Sequence, residues 1–364
     1  MTGVPHAPAA SPLAMIVPGA LDQLTGGYLF DRRVVEGLRE AGRSVRVVEL
    51  DGDYPDADVT TRKAACAAMQ ALPDGSVAVI DGLALPGFAD CLEVEAQRLR
   101  VLGFIHHPLS LETGIPASVT GRMAAIERRL WPMLRGLLCP SAHTAGCLAS
   151  EGVPVERIAI VPPGTAHPLA HAGDRPGRPR ATAMLRLLCV GTIVPRKGHL
   201  ALVEALAGLQ DLPWTLTCIG SLERDLLAAA ALRAAIDRLG LSDRIMLTGE
   251  QPAATLAAAW RDADAFVLPS SHEGYGMAYG EAMANGLPVI ATTAGAIPEV
   301  VPSTAGLLVE PGDVDSLRSA LRSVMVDASL RQQLARGALA AAAVLPDWPT
   351  AVRRWAEAVD RFAA

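Results

Sequence analysis

Glu273 and Glu281 stand eight positions apart in the run Ser271–Val289, S-H-E-G-Y-G-M-A-Y-G-E-A-M-A-N-G-L-P-V. Ionised carboxylates only accept hydrogen bonds, so two of them beside glycines that admit a close backbone approach can hold two ends of one hydroxyl-rich ligand. A second run, Cys189–His199, C-V-G-T-I-V-P-R-K-G-H, carries Arg196 and Lys197 behind Gly191 and ahead of Gly198. A guanidinium bonds a phosphate in a fork and an ammonium acts as a point charge, so the pair suits a diphosphate. Lys197 shares the chain with only one other lysine, Lys63. Earlier segments add Gly26 and Gly27, in Pro18–Tyr28, and the adjacent His106 and His107, in Phe104–Gly114.

These residues need a scaffold that delivers loops and helix starts to one place. With 364 residues, 51% apolar and 19% charged, the chain is long enough for two domains, each with its own core. Short apolar runs at Leu13–Val17, Val45–Leu50, Val77–Ile80, Val101–Ile105 and Leu137–Cys139 read as strands, separated by helical patterns such as Tyr28–Ala41 and Cys91–Leu99. A second series, Leu187–Val190, Thr215–Ile219, Arg244–Leu247, Ala265–Leu268, Pro288–Ala291 and Gly306–Val309, repeats the alternation. Continuous apolar strands between helices indicate parallel sheets covered on both faces, the doubly wound α/β class. The spacing predicts a first domain over 1–165, a proline- and glycine-rich linker over 166–185, a second domain over 186–345, and a C-terminal helix in 346–364 that packs back toward the first domain. In such sheets ligands sit at the carboxyl ends of the strands, and every motif above follows a strand.

The formal net charge of −6 argues against a nucleic-acid partner, since phosphate neutralisation needs a basic surplus. Six scattered cysteines without C-x-x-C spacing read as reduced thiols. Neither a signal core nor a membrane span is found, which predicts a cytoplasmic protein. Gly121–Leu138, with Arg122, Arg128, Arg129 and Arg135 among Met, Leu and Trp131, has the composition of a membrane-surface helix or of a buried helix with a charged face.

The Ser271–Val289 run resembles the glycosyltransferase family 4 pattern, E-x7-E followed by A-M-A-x-G-x-P-V, and the resemblance extends over nearly the whole chain, most strongly over 186–310. It implies the GT-B fold, two Rossmann-like domains facing a central cleft, and a glycogen-synthase-like enzyme that moves a hexose from a nucleotide-diphosphate sugar, UDP- or GDP-linked, to a hydroxyl with retention of configuration. By that resemblance Glu273 lies by the donor sugar and Glu281 holds the ribose. Arg196 and Lys197 support the departing diphosphate, with Arg196 taking the role that many members give to an arginine at the position of Thr192. Gly26 and Gly27 match the family's loop across the cleft. Gly191, Gly274, Tyr275, Gly276 and Met277 frame the donor, and either His106 or His107, with His107 preferred, lies near the reacting centre. Gly220, Ser221, Gly249 and Glu250 match loops near the base.

The resemblance also implies no metal and no cofactor beyond the nucleotide-sugar co-substrate. Asp51-Gly52-Asp53 and Asp262-Ala263-Asp264 have D-x-D spacing but are poorly placed for a metal-bridged donor. The implied acceptors are a small molecule, a glycan or a lipid-linked compound, the last allowing peripheral contact at the inner face of a membrane. The rival readings are a nucleotide-sugar-binding protein, an epimerase or a phosphorylase on the same scaffold. A nicotinamide dehydrogenase is disfavoured because no G-x-G-x-x-G separates the first strand from the first helix.

Overall fold

A computed structural model describes residues 13–112, 117–166 and 184–364. Most of the 166–185 linker lies outside the described residues. The first sheet comprises β1 (Leu13–Pro18), β2 (Val45–Leu50), β3 (Val77–Asp81), β4 (Arg100–Phe104), β5 (Gly136–Cys139) and β6 (Ile158–Ile160). It is wholly parallel, in the order β2-β1-β3-β4-β5-β6. The second comprises β7 (Leu185–Val190), β8 (Trp214–Ile219), β9 (Ile245–Leu247), β10 (Ala265–Val267), β11 (Val289–Thr292) and β12 (Gly306–Val309), also parallel, in the order β12-β11-β10-β7-β8-β9. β1 and β3 are buried along their whole length because helices cover both faces.

Both sheets reverse their winding direction at one seam, between β1 and β3 in the first and between β7 and β10 in the second. The loops that leave a doubly wound sheet at such a seam diverge to opposite faces and open a crevice. From the seam strands β1, β7 and β10 emerge three of the helices that position the site, α1 (Gly26–Glu40), α3 (His199–Ala207) and α4 (Met277–Ala284), and α2 (Ala142–Ser150) adds a fourth after β5.

The last helix, α5 (Trp348–Ala363), packs on α1, β4 and β5. Its Val352, Trp355 and Val359 join one core cluster with β1, β3 and β4 of the first sheet. Trp355 is fully buried and meets Phe104 edge-on at 6.0 Å. The chain thus leaves the first domain, builds the second, and returns to complete the first.

Three readings of the sequence are corrected, and of the two alternatives for 121–138 the buried helix with a charged face is the one found. The pattern over Cys91–Leu99 yields only a single helical turn, Leu92–Glu95. The short strand β6 goes unrecognised, because three residues with one buried side chain carry too little pattern. Cys66 and Cys91 form a disulfide with Cα atoms 5.8 Å apart, while Cys139, Cys147, Cys189 and Cys218 are free; the helix Val59–Gln70 brings Cys66 to Cys91, a proximity invisible in the 25-residue spacing. The stretch 121–138 divides among the helix Ala117–Leu130, a 3-10 turn and β5. Its apolar side faces inward with Trp131 buried, and Arg122 and Arg128 pair with Asp56 and Glu151. Among the described residues no helix is long and apolar enough to cross a membrane.

Candidate active site

The two seams face each other across a cleft of about 600 Å³, a size typical of small-molecule sites. Gly26, Gly27, His106 and His107 line it from the first domain, and Gly191, Arg196, Lys197, Glu273, Gly274, Tyr275, Gly276, Met277 and Glu281 from the second. Of the four base-loop positions, Gly220 and Glu250 line the cleft while Ser221 and Gly249 do not. Those two are used inside the protein: the Ser221 carbonyl accepts from Ile193 N–H and the Gly249 carbonyl from Gly220 N–H. Neither D-x-D pair lines the cleft.

Glu273 is 5% exposed and both of its oxygens are engaged. Oε1 accepts from Lys197 Nζ at 2.6 Å and from Ser270 Oγ at 2.6 Å, and Oε2 accepts from Arg196 at 3.4 Å. Burial alone would raise its pKa, but the charges of Lys197 and Arg196 and these hydrogen bonds hold it at about 2. Lys197 is shifted down, by burial first and by Arg196 beside it, against the opposing pull of Glu273. Arg196 also bonds Glu112 of the first domain at 2.9 Å and the His272 carbonyl at 2.9 Å. The basic pair is therefore held rigidly and partly compensated, not free in solvent.

Glu281 has a different setting. Its carboxylate, on α4, makes no hydrogen bond or ion pair among the described residues, and burial lifts its pKa to about 7 against the opposing field of Arg33 from α1. Its helix begins at Gly276, φ +91°, with no side-chain cap and no acidic residue in the first turn. α1 likewise starts at Gly26 without a side-chain cap on its amides, so Gly26 and Gly27 are its first residues and not a preceding loop. Two uncapped helix starts thus present N–H groups and positive dipole ends to the cleft. Gly274 is small for a reason other than ligand approach: a Cβ there would run into the His106 carbonyl of the opposite domain.

His106 and His107 diverge despite adjacency. His107 Nε2 pairs with Glu112 at 3.0 Å. His106 Nε2 sits 3.0 Å from Asp31 and 3.3 Å from Asp81. Burial disfavours its charged form, yet the two carboxylates overcome this and raise it to about 10. Asp31, fully buried on α1, is pushed up to about 7 by that burial. Asp31, Asp81 and His106 are also the one group among the described residues whose ligand atoms lie close enough, within 4.8 Å, for a metal ion. In the structure the imidazole itself bridges the two carboxylates.

Several of these residues were not anticipated. Asp31 carried a signal, since it continues the inward face formed by Tyr28, Val35 and Leu38 at helical spacing. Asp81 closes β3, where ligand-facing residues collect. Glu112 and Ser270 carried none, being ordinary polar residues in loops. His272 is buried, with its Nε2 unpartnered among the described residues, and burial lowers its pKa to about 4, helped by nearby His107 and His143.

Comparison with known proteins bears on the family and the fold. Residues 185–327 match the family model described as Glycosyl transferases group 1. The chain is 29% identical over 252 residues to MMP alpha-(1->4)-mannosyltransferase of Mycolicibacterium hassiacum, covering 64% of this chain and 59% of that protein. It is 30% identical to the GDP-mannose-dependent alpha-(1-6)-phosphatidylinositol monomannoside mannosyltransferase of Mycobacterium tuberculosis, covering 59% and 57%. The matched stretch thus spans less than two thirds of either relative. The fold is shared with sucrose-phosphate synthase of Thermosynechococcus elongatus, TM-score 0.79 at 20% identity over 96% of this chain and 98% of that one. It is also shared with Anabaena Alr3699/HepE in complex with UDP and glucose, TM-score 0.74 at 18% identity over 95% and 99%. The two facing parallel sheets are the GT-B arrangement of those structures.

Proposed function

Starting from a second domain that carries the glycosyltransferase group 1 sequence, we propose that the chain is a retaining glycosyltransferase. It takes a hexose from a UDP- or GDP-sugar to a hydroxyl acceptor and needs no metal. The observation that carries this reading is the convergence of Arg196, Lys197, Glu273, Glu281 and the uncapped start of α4 on one cleft between the domains. Glu281 accepts from the ribose hydroxyls. The diphosphate lies against Arg196, Lys197 and the α4 amides, whose positive field compensates the charge that grows on the leaving group as the glycosidic bond lengthens.

Glu273 fixes the two cations in place. With a pKa of about 2 and both oxygens engaged, it is a weak base and a poor covalent nucleophile. That supports attack from the same face as the departing diphosphate, with a leaving-group oxygen taking the acceptor proton. Catalysis then consists of positioning and fixed electrostatics. The test incubates the full chain with UDP-glucose and GDP-mannose, with and without chelator, and follows nucleoside diphosphate release together with the anomeric configuration of the product by NMR. Chelator-resistant release with an α-product supports the reading. Strict dependence on added magnesium or manganese, or an inverted product, overturns it.

A further inference from the structure

We propose that the acceptor is an uncharged hydroxyl compound, received on a first-domain wall of carboxylates and apolar side chains that turns away phosphate-bearing acceptors. The inference rests on the glycosyltransferase reading and names the substrate class for its second substrate. Charge in the cleft is divided by domain. Among the described residues lining it, the only lysines or arginines are Arg196, Lys197 and Arg224, and all three belong to the second domain. The donor's diphosphate is matched there, which leaves the opposite wall to the acceptor.

That wall is of the other sign. Asp81 and Glu112 line it, and Asp31 lies directly behind, with Oδ2 unpartnered and no exposure to solvent. His106 is the one cation held among Asp31 and Asp81. Burial opposes ionisation of Asp81, but the His106 hydrogen bond and charge keep it ionised, so one imidazolium beside it leaves that floor neutral or negative whether or not Asp31 holds a proton. Glu112 is turned toward Arg196 and His107, so it keeps part of the second domain's positive charge away from the acceptor. The arginines of α1 do not change this balance: Arg32 bonds the Asp22 carbonyl, Arg33 lies over the Trp348 ring and toward Glu281, and Arg39 bonds the Val45 carbonyl.

A phosphate on the acceptor would give up its water in a confined cleft and meet carboxylates of its own sign. Desolvation and repulsion both oppose it. A neutral sugar loses little by the same transfer, because Asp81 can accept from its hydroxyls. Leu24, Leu29, Leu83 and Leu109 supply apolar surface on the same side, and Leu24, half exposed at the rim, offers cover to an apolar sugar face or aglycone.

The experiment uses the full chain with whichever of UDP-glucose or GDP-mannose it hydrolyses. Two neutral acceptors, methyl α-mannoside and octyl β-glucoside, are compared at equal concentration with mannose 6-phosphate and glucose 6-phosphate. Glycoside formation at least about tenfold faster for the neutral pair is expected. Leu24→Arg, which adds a cation at the exposed rim, should narrow that ratio severalfold. Equal or better transfer to the phosphorylated sugars overturns the inference while the transferase reading stands. Transfer to neither class with hydrolysis intact also overturns it. Absence of both hydrolysis and nucleotide binding overturns the transferase reading, and the inference with it.

Discussion

Glu273 and Glu281 bring the same functional group into opposite electrostatic settings. Glu273 is ringed by Lys197, Arg196 and Ser270, whereas at Glu281 on α4 burial dominates and only the charge of Arg33 opposes it. Glu281→Gln should therefore weaken binding of free UDP or GDP, because a charged acceptor for two ribose hydroxyls becomes a neutral one. Glu273→Gln should spare nucleotide affinity and lower kcat on the order of 100-fold, since it releases the cations that act on the leaving group. Calorimetric titration beside steady-state kinetics separates the two, and equal weakening of binding by both variants would contradict the assignment.

The pH dependences of stability should also run in opposite directions. The Glu273 carboxyl falls from an ordinary 4.5 to about 2 on folding, so its contribution is present above 4.5 and is lost as pH drops toward 2. The Glu281 carboxyl rises from 4.5 to about 7, so the folded chain holds a proton that the unfolded chain releases, and stability declines as pH climbs from 4.5 to 7. Urea denaturation from pH 5 to 7.5 should show a shallower decline for Glu281→Gln than for the unaltered chain. Unchanged slopes would show that this carboxyl is already ionised in the fold.

Among the helices, α5 has the clearest energetic role. Its apolar stripe closes one face of the first sheet, with Trp355 fully buried against Phe104 and with Nε1 lacking a partner among the described residues. Trp355→Ala should cost about 3–5 kcal/mol, as large truncations in a packed core do. Trp355→Phe should cost considerably less, because no hydrogen bond is lost with the indole. Urea unfolding read through first-domain probes measures both, and an alanine variant as stable as the parent would mean that α5 merely rests on the surface. The tight approach of Gly164 to Trp348 shows how closely this returning helix is seated.

At the scale of the molecule the domains meet through a few specific bonds around the cleft. Glu299 of the second domain accepts from the Ala142 and His143 amides at the start of α2, at 2.9 and 2.5 Å. Thr144 Oγ1 donates to the Gly274 carbonyl at 3.2 Å, and Glu112 reaches Arg196. Glu299→Ala removes the carboxylate that satisfies two helix-start amides. It should speed hydrogen exchange in residues 142–150 and raise the radius of gyration, with little change in the denaturation of either separate core. Unaltered exchange and scattering would assign the closed arrangement to the remaining contacts.

The periodicity of apolar residues was enough to read two doubly wound domains, because a parallel sheet covered on both faces writes its strands as unbroken apolar runs. The glycine-framed run around Glu273 and the Arg196-Lys197 pair were legible for a local reason: close backbone approach and fixed charge restrict residue type whatever the rest of the chain does. The sequence left undetermined everything that depends on a partner far along the chain. Arg196 and Lys197 read as a fixed cation pair for a diphosphate, and folding added the carboxylates Glu273 and Glu112 that hold them. Gly274 read as room for a ligand, and the His106 carbonyl from the other domain fills that space. Asp31 and Asp81 meet His106 only when α1, β3 and β4 come together, and burial and the opposed charges of the three then set where their protons sit. Pairing, burial and the charge of each wall are properties of distances between segments, and a linear pattern carries no distances beyond a few turns of helix or one strand.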